Sequence, residues 1–67
     1  MIVKIIAYII KLGSKAWDVI KGVIGSAWSS FKAAWDAGVW QATQWLIEKS
    51  VYVELIFEAL KAAFGDN

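Results

Sequence analysis

Polar positions along this chain recur every three or four residues, the period of a helix with one dry face. From residue 14 to residue 25 they are Ser14, Lys15, Asp18, Lys21, Gly22 and Gly25. That leaves Ala16, Trp17, Val19, Ile20, Val23 and Ile24 for the opposite face. The next stretch turns Ser26, Ser29, Ser30, Ala33 and Asp36 outward, and Ala27, Trp28, Phe31, Ala34 and Trp35 inward. In a fourth stretch the outward positions are Gln41, Gln44 and Glu48. A fifth sets Glu54, Glu58 and Lys61 against Val53, Ile56, Leu60 and Phe64. The first stretch has only a thin polar stripe, Lys4, Tyr8 and Lys11, in a field of Ile2, Val3, Ile5, Ile6, Ile9, Ile10 and Leu12. A helix that apolar belongs at the centre of a core or inside something apolar.

Glycine and serine divide these stretches. Gly13-Ser14 and Gly25-Ser26 read as stop-then-start signals, glycine ending one helix and serine capping the next. Gly38 and Ser50 make the remaining breaks. Isoleucine and valine in the first and fifth stretches also suit strands. The spacing of the charges favours helix, and no hairpin turn dipeptide occurs. The pattern therefore predicts one all-α domain over residues 1–67: a compact bundle of four or five short amphipathic helices.

Composition sharpens this reading. Hydrophobic residues are 60% of the 67 and charged residues 19%, which excludes a disordered chain. A domain this small needs disulfides, a metal or an unusually apolar core. Cysteine and histidine are absent, so the core must do it. The composition also leaves more large apolar surface than one small bundle can hide. No segment is long enough to span a bilayer: the longest run without a charge is residues 37–47, and the most apolar is residues 5–10. Lys4 and Lys11 interrupt any signal-peptide pattern. The initiator Met and the Asp66-Asn67 end read as those of a linear product made without a leader.

Catalysis finds little support. The chain lacks His, Cys and Arg. Ser14-Lys15 is explained by helix capping, and Glu54 with Glu58, one turn apart, by a solvated face. No enzyme activity, cofactor, metal or small-molecule substrate is expected. A net charge of +1 is too low for nucleic-acid binding. That small value hides an asymmetry. Residues 1–32 carry five lysines against Asp18, a net of +4; residues 33–67 carry Lys49 and Lys61 against five acids, a net of −3.

Lysine and tryptophan carry the candidate chemistry. Lys4, Lys11, Lys15, Lys21 and Lys32 sit in the basic half, on helices whose other faces are aliphatic and aromatic. Such helices lie in a membrane interface, apolar face down, with lysines reaching anionic head groups. Trp17, Trp28 and Trp35 border apolar faces, where core packing is the competing explanation. Trp40 and Trp45 flank the polar face centred on Gln41, Gln44 and Glu48, the position of a ring with one end in oil and one in water. These five lysines and five tryptophans are the expected membrane-binding residues. Ordinary bundle corners and solvated faces are the alternatives.

The run KLGSKAW at residues 11–17 follows an apolar, lysine-dotted helix that starts at the initiator Met. This resembles the opening of the leaderless bacteriocins of the aureocin and lacticin Q group. The WDAG at residues 35–38, followed by another amphipathic helix, is similar to that group's Trp-Asn-Ala-Gly turn. The likeness covers residues 1–49 through short motifs. It implies a saposin-like bundle, made without a leader and without cysteine. It also implies secretion and permeabilisation of bacterial membranes, with anionic lipids as partners. Members of the group are shorter and more cationic; the acidic stretch at residues 51–67 is an addition, and the total length is closer to that of circular bacteriocins. The acidic helix is expected to shield the basic apolar face in solution. The competing readings are a small helical interaction or oligomerisation module and a bacteriocin immunity protein.

Overall fold

The chain folds into five α-helices, as seen in a computed structural model that describes residues 1–65. They are α1 (Ile2–Leu12), α2 (Ser14–Ile24), α3 (Trp28–Ala37), α4 (Val39–Glu48) and α5 (Ser50–Phe64). A single 3-10 turn, Gly25–Ala27, joins α2 to α3. Among the described residues there is no strand, so the isoleucines and valines of α1 and α5 serve helices. Asp66 and Asn67, the end of the acidic stretch, lie outside the described residues. The radius of gyration is 10.5 Å, against about 11 Å for a compact chain of this length. The helices are therefore packed together rather than strung out.

Single residues make three of the four links. Gly13 ends α1 with φ +59°, and its N–H donates to the Ile9 carbonyl at 2.9 Å. Gly38 ends α3 with φ +146° and donates to the Ala34 and Trp35 carbonyls at 3.2 and 3.0 Å. Side chains rarely tolerate these angles, so glycine permits a break without a longer loop. Lys49 links α4 to α5 with a negative φ. The serines act differently from the expectation. Ser14 and Ser50 are the first helical residues, and no helix start carries a side-chain cap. Backbone N–H groups of Gly13, Gly38 and Lys49 close the helix ends, and no side chain caps the next start.

The core follows the sequence stripes closely. Ile5 and Ile9 of α1, Ala16, Ile20 and Ile24 of α2, and Phe31 of α3 are buried. So are Ala42, Trp45 and Leu46 of α4, with Val53, Ile56 and Leu60 of α5. The most extensive pairings are α2 with α5 and α3 with α4, and α1 touches α2, α4 and α5. The thin polar stripe of the first stretch put it at the centre of a core or inside something apolar, and its place in the core is a correction. α1 buries two residues and leaves Val3 79% and Ile10 67% exposed. α1 packs on α2, α4 and α5 through one stripe and turns its Val3 and Ile10 side to solvent. The centre goes instead to α2 and α5, whose apolar stripes run the length of the pair.

The acidic helix does cover the basic one, through hydrocarbon. α5 lays its Val53, Ile56 and Leu60 stripe into the core with α2, while Glu54 and Glu58 face solvent. An ion pair, Lys32 to Asp36 at 2.7 Å, lies within α3.

Candidate membrane-binding surface

Three of the five tryptophans meet where α2 crosses α3. Trp17 sits on α2; Trp28, Phe31 and Trp35 stand on α3 at the spacing that stacks them along one stripe. The Trp17 ring lies 6.2 Å from Trp28 and 5.8 Å from Trp35, both edge-on, and 5.3 Å from Phe31. Phe31 is fully buried and anchors the group, while the three indoles are half-buried. Edge-to-face pairs of this kind add about 0.5–1.5 kcal/mol each beyond area burial.

Two lysines cap this aromatic patch. The Lys21 Nζ stands 5.1 Å from the centre of the Trp28 ring, and the Lys32 Nζ 5.5 Å from that of Trp17. Lys32 also holds Asp36. A cation over an exposed ring contributes about 0.5–1 kcal/mol. It also keeps an ammonium beside an amphipathic indole at the water boundary. The sequence placed these tryptophans and lysines on helix faces, but it did not show the stacking. The spacing was visible, since Lys32 is four residues after Trp28 and three before Trp35. The crossing of α2 over α3 was not.

The remaining candidates are dispersed. Trp40 is 67% exposed on the outer side of α4, with Val39 and Ile47 also exposed. Lys15 is exposed on α2. Lys4 and Lys11 share one edge of α1 beside the C-terminal half of α5, the Lys4 Nζ 6.0 Å from the Phe57 ring.

Trp45 is a correction. It is 8% exposed, lies 4.9 Å from Phe31 and stacks on Tyr52 at 5.7 Å. Its indole N–H donates to the Ser30 hydroxyl at 2.9 Å. The helical wheel centred the polar face on Gln41, Gln44 and Glu48, and this set Trp45 at its border. The dry stripe of α4 is Ala42, Trp45 and Leu46, spaced by three and four, and Gln44 is half-buried. A tryptophan can enter a core when its single donor finds an acceptor there.

No metal-binding group of acidic residues exists among the described residues, and Glu54 and Glu58 remain exposed. Among the same residues, no helix is long and apolar enough to cross a membrane. No protein-family model, curated protein or solved structure matches this chain.

Proposed function

We propose that this chain is a secreted antimicrobial protein, a bacteriocin, that binds anionic bacterial membranes and permeabilises them. The observation that carries the reading is the indole patch of Trp17, Trp28 and Trp35, half-buried, with Lys21 and Lys32 set over its rings. Such a patch can dock on a bilayer with the bundle closed: indoles enter the head-group layer while lysines meet phosphates. The resemblance of the 11–17 and 35–38 motifs to leaderless bacteriocins supports the same reading. The function requires no catalytic group or cofactor.

Deeper insertion requires rearrangement. The apolar stripe of α2 is occupied by α5 in the folded bundle. For α2 to lie flat with that stripe in lipid, α5 must move off it, turning about Lys49.

Leakage of a trapped dye from phosphatidylglycerol vesicles tests the proposal. Rapid release from these, and far slower release from phosphatidylcholine vesicles, is expected. Intact vesicles of both kinds at protein concentrations that saturate binding would discard it. A second reading draws on another observation. Met1, Val3 and Ile47 are exposed around a shallow groove where α1 meets α4 and α5. A small interaction or oligomerisation module would use such a face. A concentration-dependent dimer with no effect on vesicles favours that reading.

A further inference from the structure

A second groove opens between α1 and the C-terminal end of α5. Its volume is about 300 Å³, at the small end of ligand sites. The floor and walls are Ala7, Tyr8, Leu12 and Phe64, and the rim carries Lys4 and Lys11. The Tyr8 hydroxyl donates to the Gly65 carbonyl and ties the end of α5 across α1. The Tyr8 and Phe64 rings are 6.5 Å apart.

The two lysines are seven residues apart, so they rise from the same edge of α1 roughly 10 Å apart along its axis. Both are exposed, and no acidic residue among those described lines the groove. Glu54 and Glu58 lie on the exposed face of α5, roughly three and two turns before its end. The rim therefore calls for an anion and the floor for hydrocarbon. A bare anion fits poorly toward Leu12 and Phe64, where α1 and α5 both end and their dipoles repel negative charge. Apolar contact must supply the rest of the affinity.

We infer that this groove holds one anionic phospholipid, its phosphate between Lys4 and Lys11 and its first methylenes on Leu12 and Phe64. The inference rests on the proposed action at anionic membranes, and it adds a discrete lipid site away from the indole patch. A bound lipid at this place would draw α1 to the bilayer and bring the α5 terminus with it.

Titration with soluble dihexanoyl phosphatidylglycerol, followed by amide NMR shifts of the full chain, tests the site. Saturable shifts at Ala7, Leu12, Phe64 and Gly65 are expected. Dihexanoyl phosphatidylcholine and inorganic phosphate should each shift them far less. The exposed pair Lys4→Ala and Lys11→Ala should weaken binding about thirtyfold, and Lys4→Arg with Lys11→Arg should keep it. Equal saturation by phosphatidylcholine, saturation by inorganic phosphate alone, or undiminished binding in the alanine pair overturns the site. Vesicle leakage separates the two claims. A silent groove with full leakage removes the lipid site and leaves the membrane reading. A saturable groove with no leakage does the reverse.

Discussion

The indole N–H of Trp45 donates to the hydroxyl of Ser30 at 2.9 Å, joining α4 to α3 inside an aromatic row that runs from Phe31 through Trp45 to Tyr52. Small domains hold about 0.05–0.15 kcal/mol per residue, so roughly 3–10 kcal/mol is available to this chain. Trp45→Ala is expected to remove about 3–5 kcal/mol, and Ser30→Ala about 1 kcal/mol by stranding the indole N–H. Trp40→Ala, on the exposed outer side of α4, should change stability by less than about 0.5 kcal/mol yet weaken vesicle binding. Urea denaturation of the three variants checks this; similar losses for Trp40 and Trp45 would remove the distinction between core and surface indoles.

Gly38 gives a second stability test. Its φ of +146° belongs to glycine, and a Cβ there would come 2.8 Å from the Gln41 Oε1. The Gln41 end can move aside, so backbone strain dominates. Gly38→Ala should cost about 1–3 kcal/mol, with the helix content unchanged. Gly22→Ala lies within α2 with open space around its Cα and should stabilise by about 0.5–1 kcal/mol. Thermal unfolding followed by circular dichroism reads both; a neutral Gly38→Ala would mean that the α3–α4 link is not fixed.

Much of this fold was legible in the sequence because its helices are amphipathic and its breaks fall at glycines. No residue of the inward lists for α2, α3 and α5 is exposed, although the α3 list buries Phe31 fully and leaves its other members half-buried. Two failures share a cause. Trp45 and α1 were placed from the character of one helix alone, whereas burial depends on which neighbour lies against it. Ala42, small and fully buried, marks the dry stripe that Trp45 shares, and a wheel does not weigh small residues. The stacking of Lys21 and Lys32 on indoles depends on the α2–α3 crossing, for which a single sequence carries no signal.

The indole patch should report on membrane contact before any deep rearrangement. With phosphatidylglycerol vesicles, tryptophan emission is expected to shift to the blue. Lys21→Ala with Lys32→Ala should reduce that binding several-fold at about 0.01 M salt. The difference should vanish near 1 M, where the screening length falls from about 30 Å to about 3 Å. A loss independent of salt would mean that these lysines support the rings sterically and not by charge.

Helix length decides the manner of permeabilisation. The longest helix, α5, has 15 residues, or roughly 22 Å, and the hydrocarbon layer is roughly 30 Å thick. Joining α1 to α2 through Gly13 would reach across at a cost of only about 1 kcal/mol for the glycine. It would also place Lys11 and Lys15 near the bilayer centre, at about 2.5–3.5 kcal/mol each by insertion scales. The charge penalty exceeds the helix gain, and the Val53, Ile56 and Leu60 stripe of α5 would lose its partner as well. We predict that the helices lie flat and thin the bilayer, without spanning pores of fixed size. Planar-bilayer recordings should show current bursts of variable amplitude, and a uniform ladder of single-channel steps would refute the mechanism.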